Sequence, residues 1–196
     1  MGAGILPTTM HKGTLYFLFG KENKFADTPG WSDFGGGTDK KESFIQTAVR
    51  EGGEELTGFL GSDVKSMLQA GTYTIDNDTY RMHIVYMPFN PYLPLYYNNN
   101  QQFLQNHLDA SVIRKTKIFE KAEIRWVSVH DIHKMLPQFR SYFQTIVRKI
   151  EEQKGEISRF IRKQMAKKNQ NKKKNTTRRR KTQQRQRERR TRRTFS

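Results

Sequence analysis

The chain has 196 residues and no cysteine, and it sets 36 Lys and Arg against 19 Asp and Glu, a formal net charge of +17. That length holds one domain with a buried core plus an extension, and the lack of cysteine excludes disulfides, thiolate metal sites and cysteine nucleophiles. The longest apolar runs, such as Leu15–Phe19, fall far short of the ~20 residues that span a bilayer, and no basic-then-apolar leader is expected at the N-terminus.

In chain order, Gly4–Gly20 reads as strand, turn, strand, with β-formers concentrated in Leu15–Phe19. Lys21–Asp39 reads as a loop, on the strength of Pro29, Gly30 and the run Gly35-Gly36-Gly37. Ser43–Leu56 reads as a helix with Ser43 as N-cap and Gln46 completing a capping box. Thr72–Ile75 and Met82–Met87 read as two strands joined through Asp76-Asn77-Asp78, and Pro88–Gln102 as irregular. Phe103–Ile113 reads as a short helix, Glu123–Val129 as a strand, and Val129–Leu136 and Arg140–Arg162 as helices, the last with apolar residues near 3.6 spacing. Strands mixed with helices, with a central helix after a glycine loop, indicate an α/β sandwich with a mixed sheet.

Charge divides the chain. Residues 165–196 hold 15 basic side chains and one acid, Glu188, so this tail carries +14 and residues 1–164 only +3. A segment so poor in apolar side chains buries too little surface to offset its ordering entropy, and 165–196 is expected to be a disordered basic tail. Its clusters include Lys172, Lys173 and Lys174, then Arg178, Arg179, Arg180 and Lys181. Such clusters suit RNA or DNA phosphates through counterion release, or a nuclear address, or an acidic partner.

The stretch from Gly35 to Leu56 carries the chemistry. Glu51, Glu54 and Glu55 stand at i, i+3 and i+4, which on a helix is one face with neighbours about 5–6 Å apart. Such a cluster is either a solvated helix face or a set of oxygen donors for a hard cation such as Mg²⁺ or Mn²⁺. The glycine run just before it lets backbone approach the same place.

This stretch resembles the Nudix box, in which a Gly is followed after five residues by Glu, after seven more by Arg-Glu, then by an apolar residue, any residue, Glu-Glu, any residue, Gly and an apolar residue. Gly36, Glu42, Arg50, Glu51, Glu54 and Glu55 fall in register with it. Gly52 stands at the apolar position, Thr57 at the late glycine with Gly58 one residue on, and Trp31-Ser32-Asp33-Phe34-Gly35-Gly36 replaces the commoner Trp-x-x-Pro-Gly-Gly. Gly52 and Gly53 would each cost a helix roughly 1 kcal/mol relative to Ala, and mark either a local irregularity or a close backbone approach. With the tail, the chain is similar to Nudix proteins of large DNA viruses.

The resemblance implies a Nudix α/β/α sandwich within a hydrolase domain at 1–164, the C-terminal helix 140–162 included. It implies Glu51 and Glu55 as principal metal ligands, Glu54 beside them, and the Gly36 carbonyl as a further ligand. Arg50 and Glu42 would pair to hold the loop–helix–loop. A further catalytic or metal-binding Glu would precede the strand bearing Trp126-Val127. Glu120 fills that place, with Glu123 as the second choice and a surface role as the alternative for both.

The implied activity is Mg²⁺- or Mn²⁺-dependent hydrolysis of a diphosphate linkage in a nucleotide-containing substrate. Paired with the basic tail it points to capped mRNA, hence decapping and RNA binding, in the cytoplasm or, through the tail, the nucleus. The rival readings are a pyrophosphatase of free nucleotides, dinucleotides or inositol pyrophosphates, and an inactive RNA-binding module, against which the intact glutamates speak. Trp31, Phe34, Tyr73, Tyr80 and Tyr86 read as packing residues with base stacking as the alternative. Tyr92, Tyr96 and Tyr97 lie in a segment suited to substrate choice or plain surface. His11, His83, His107, His130 and His133 show no zinc spacing.

Overall fold

Gly2–His11 (β1) and Thr14–Glu22 (β2) form an antiparallel hairpin. Lys12 and Gly13 turn it with φ of 47° and 83°, the left-handed pair that a two-residue hairpin turn requires. The computed structural model describes residues 1–60, 63–116, 119–171 and 174. The chain divides into two units, Met1–Ile161 and Arg162–Ser196.

The first unit is built on a mixed sheet. Trp31–Ser32 (β3) pairs with the end of β2, and Phe34–Gly37 (β4) pairs antiparallel with the start of β1. Tyr73–Asp76 (β5) and Tyr80–Tyr86 (β6) form a second hairpin, and β6 runs parallel to β1 from Gly2↔Tyr80 to Thr8↔Tyr86. Lys121–Ser128 (β7) pairs antiparallel with the free edge of β2, with a register shift between Lys21 and Glu22.

Helices cover both faces of that sheet. On one, Phe44–Glu55 (α1), Asp63–Ala70 (α2) and Tyr92–His107 (α3) enclose a core of Ala3, Ile5, Leu18, Phe34, Ala48, Leu56, Val64, Tyr97 and Ile124. A short helix, Ala110–Lys115 (α4), follows. On the other face Phe19 meets Phe139 and Phe143 with ring centroids 4.8 and 6.2 Å apart. Phe143, Ile146, Val147 and Ile150 form the buried stripe of Ser141–Glu152 (α5). The α/β class with a mixed sheet therefore stands as expected, and β2 is buried on both faces because a layer packs on each.

Several elements depart from the sequence pattern. Lys21–Asp39 is not wholly loop, since it contains β3 and β4. A Cβ on Gly35 would lie 2.5 Å from the Cα of Gly4, so the glycine run serves close strand approach rather than a turn. Pro88–Gln102 is not irregular. Most of it is α3, which follows Pro91 and places Pro94 in its first turn, where a missing N–H costs little. Buried Tyr97 and Gln101 dock it, and the Asn98 amide pairs with both the N–H and the carbonyl of Ile124 on β7. The helix expected over Phe103–Ile113 is broken at Leu108 and Asp109. Val129–Leu136 is a series of turns leading to a 3₁₀ turn at Leu136–Gln138, because Pro137 cannot continue a helical ladder.

In α1 the capping box of Ser43 and Gln46 forms as expected. Gly52 marks a close approach, since a Cβ there would stand 2.7 Å from Ile5 Cδ1, whereas a Cβ on Gly53 would meet nothing within 4 Å. The helix ends as Thr57 and Gly58 take φ of 48° and 70°, a left-handed stop.

In the second unit, residues 162–171 and 174 are helical, so the expected tail begins in helix, where Met165, Ala166, Lys167 and Lys168 are good helix formers. The remainder of the expected tail, with Lys172, Lys173, Arg178, Arg179, Arg180 and Lys181, lies outside the described residues.

Candidate functional site

β4 delivers Gly35–Gly37 to the side of α1. A Cβ on Gly36 would lie 2.6 Å from Glu51 Oε1, so the carboxylate of Glu51 rests directly on that glycine. Arg50 ties the unit together. Its Nε and Nη2 donate to Glu42 Oε1 and Oε2, both at 2.9 Å, and Nη2 also donates to the Gly37 carbonyl at 2.9 Å. Its Nη1 donates to Glu51 Oε1 at 2.6 Å and lies 3.5 Å from Glu54 Oε2. With Asp39 Oδ2 3.7 Å from Nε, one guanidinium thus meets four carboxylates. The forked pair with Arg50 holds the Glu42 carboxyl down at about 2, helped by the Asp39 N–H and the Thr47 hydroxyl. The pairing of Arg50 with Glu42 follows the sequence reading.

Glu55 belongs to a second, buried cluster. Its Oε1 lies 3.1 Å from Lys121 Nζ, and its Oε2 is buried with no hydrogen-bond partner among the described residues. Lys121 is fully buried. Its ammonium also donates to Glu22 Oε1 and to Ser32 Oγ, the latter at 2.9 Å. Arg140 Nη1 reaches the same Glu22 oxygen at 2.7 Å. Burial pushes the Glu55 carboxyl well above its ordinary range, with Lys121 working against it. Burial alone would lower the pKa of Lys121, but Glu55 and Glu22 outweigh it and raise it.

Asp33 completes this cluster. Both its oxygens accept from Tyr80 Oη, at 3.0 and 2.9 Å. Gly4 and Gly35 make room for that hydroxyl, since a Cβ on either would stand 2.2 or 2.0 Å from it. Burial raises Asp33 to about 7, against the pull of Lys121 and Tyr80. An acid with a higher pKa folded than unfolded binds its proton more tightly in the native state, so its contribution to stability is complete below pH 4 and is lost as pH rises through 7. A rise from 3.8 to about 7 corresponds to on the order of 4 kcal/mol. Asp33→Asn is therefore expected to flatten the fall in stability between pH 5 and pH 8, read by urea unfolding at the two pH values. Equal slopes in both proteins would show that Asp33 is charged throughout.

The other candidates lie elsewhere. Glu120 precedes β7, its carbonyl accepts from the Asn23 N–H at 2.8 Å, and it lines a cavity of about 240 Å³ with Asn23, Phe25, Asp27, Arg114 and Lys115. None of the α1 carboxylates lines that cavity, and the side chain that β7 sends to Glu55 is Lys121. Glu123 is in a surface group with Lys21 and Arg125. Phe34 is in the core, Trp31 is buried with Arg125 over its ring, and Tyr73 donates to Gln153 and Glu156. Tyr97 is buried, whereas Tyr92 and Tyr96 are exposed on α3.

The pattern of residues alone does not point to Lys121, Glu22, Asp33 or Arg140. Glu22 and Lys121 stand opposite each other only after the register shift in the β2–β7 ladder.

The donors present are oxygens of the kind that Mg²⁺ and Mn²⁺ prefer. The buried Glu55 oxygen, which has no hydrogen-bond partner among the described residues, and the carboxylate seated on Gly36 suit a cation at this face. Among the described residues, no three His, Asp or Glu side chains already converge as a metal-binding group.

No protein-family model matches this sequence, and no curated protein does. Solved structures are similar to it at low identity. One is a C. elegans Ap4A hydrolase binary complex, 16% identical over 77% of this chain and 94% of that one, with a TM-score of 0.44. A Nudix hydrolase from M. smegmatis, RenU, is 17% identical over 80% and 86%, with a TM-score of 0.45. A bifunctional NMN adenylyltransferase/ADP ribose pyrophosphatase from Francisella tularensis, complexed with AMP and a Mn ion, is 15% identical over 77% of this chain and 41% of that one, with a TM-score of 0.49. These scores describe a general likeness of chain path and decide nothing about activity.

Proposed function

We propose that this chain is a Nudix-type hydrolase that cleaves a diphosphate linkage with the help of Mg²⁺ or Mn²⁺. The observation that carries the reading is the loop–helix unit itself, in which Gly36 carries the Glu51 carboxylate and Arg50 bridges Glu42, Glu51 and Glu54.

Glu51, Glu54 and Glu55, with the Gly36 carbonyl, are the groups we assign to the cation. When bound, such an ion neutralises phosphate oxygens and lowers the pKa of a coordinated water. The chain's own residues do the rest. Arg50 and Glu42 fix the glycine strand to the helix, so that the carboxylates are pre-ordered and cost no reorganisation during reaction. A water attacks one phosphorus, the bond to the leaving phosphate breaks, and a carboxylate accepts the proton of the water. Of the three, we assign that proton to Glu54, because its side chain is the most open, 30% exposed against 8% for Glu51 and 3% for Glu55.

For the substrate we favour capped mRNA, with 1–164 as the hydrolase domain and 165–196 as a basic extension. The +14 charge of that extension raises the local concentration of RNA by neutralising its phosphates. The test is a product assay with Mg²⁺ and with Mn²⁺ across capped RNA, 8-oxo-dGTP, ADP-ribose, dinucleoside polyphosphates and inositol pyrophosphates. Cleavage of capped RNA at the highest kcat/KM is the expected result. Turnover of free nucleotides with capped RNA left intact would overturn the substrate assignment and leave the hydrolase reading standing.

A further inference from the structure

Lys121 is an unusual residue to find with no exposed surface, since a buried ammonium is tolerated only where carboxylates and further hydrogen bonds meet it. The fold makes specific room for it. A Cβ on Gly20 of β2 would lie 2.9 Å from Lys121 Cδ, so the glycine leaves a slot for the lysine stem. Tyr97 Oη of α3 donates to the Glu55 carbonyl at 2.7 Å and to the Lys121 carbonyl at 3.2 Å. One side chain therefore fixes the backbones of both residues.

The two carboxylates at this ammonium are not equally served. Glu22 has a second cation, Arg140, at 2.7 Å. Glu55 has Lys121 at 3.1 Å on Oε1, and its Oε2 has no hydrogen-bond partner among the described residues. The lysine thus grips one oxygen of a carboxylate whose other oxygen is buried and has no hydrogen-bond partner among the described residues, on the same helix as Glu51 and Glu54.

We propose that Lys121 is a positioning residue for the acidic face of α1, its ammonium holding Glu55 by Oε1 so that Oε2 is presented to a divalent cation. This rests on the metal-dependent reading above. Lys121 acts through Glu55 and touches neither substrate nor cation.

The test is a double-mutant cycle on the full chain, with Mn²⁺ binding read by the electron paramagnetic resonance of the free ion. Lys121→Met keeps most of the stem and removes the ammonium. It is expected to weaken Mn²⁺ binding at least about tenfold, the usual effect of losing a group that orients a ligand, and Glu55→Gln is expected to do the same. The double variant should be no worse than the weaker single variant within about twofold, because both changes remove one interaction. Additive losses, or Mn²⁺ affinity unchanged or tighter in Lys121→Met, would overturn the proposal, since a lysine that merely supports the fold would act independently of Glu55. If Lys121→Met does not fold, Lys121→Gln, which keeps an amide donor in the same slot, enters the same cycle. A parent chain that takes up no Mn²⁺ sinks the metal reading itself and this proposal with it, a result distinct from failure of the cycle.

Discussion

Replacing Glu54 and Glu55 together by Gln is expected to slow diphosphate hydrolysis by at least about 10³-fold while circular dichroism still reports the folded chain. Glutamine keeps the volume of each side chain and most of its hydrogen bonds, so what is lost is negative charge. At Glu54 that charge faces Arg50 at 3.5 Å, and at Glu55 it faces Lys121 at 3.1 Å. A cation held at this face supplies several kcal/mol of charge stabilisation, and losing ~4 kcal/mol of it is about three powers of ten in rate. Arg50 keeps Glu42 and Glu51, and Lys121 keeps Glu22, so neither cation is stranded and the core around α1 is retained. Hydrolysis is measured as kcat with Mg²⁺ and with Mn²⁺. Undiminished turnover would remove Glu54 and Glu55 from the site and leave the resemblance to the Nudix box without its chemistry.

The parts of the site that the residue pattern made legible are those in which spacing along one helix determines geometry. Glu51 and Glu54 both reach Arg50 from α1, whereas Glu55 on the same helix turns to Lys121, and Glu42 meets Arg50 because the capping box at Ser43 sets where that helix begins. For the helix glycines the pattern left irregularity and close approach open; Gly52 is a close approach, with a Cβ position 2.7 Å from Ile5, and Gly53 is not, while a Cβ on Gly36 would fall 2.6 Å from Glu51. What spacing does not carry is pairing between distant strands. Glu22 and Lys121 meet only because β7 closes on the outer edge of β2 and shifts register there, and a lysine next to Glu120 reads as surface until that edge is known to lie under α1 and α3. Composition misled in the same way at α3, where Pro, Asn and Gln argue for a loop. Two docking interactions, Tyr97 into the core and Asn98 onto Ile124, outweigh that weak propensity.

Removing residues 165–196 is expected to separate the two halves of the proposed function. The cut takes away 15 basic side chains and leaves a chain at +3. On single-stranded RNA each phosphate contact adds about 0.7 to the slope of log affinity against log salt. If six of those side chains engage phosphates, a slope near −4 should collapse towards zero, and affinity for RNA at 0.1 M salt should fall by about 100-fold or more. The proposed site residues all precede the cut, so kcat/KM for a small capped dinucleotide should change by less than about twofold. KM for a long capped RNA should then rise towards that of the dinucleotide, because the substrate has lost its hold on the tail while kcat, on the proposed assignment to Glu51, Glu54 and Glu55, is untouched. A tail that serves only as an address would leave both KM values and the salt slope unchanged, and equal RNA affinity before and after the cut would refute the substrate assignment at its weakest link.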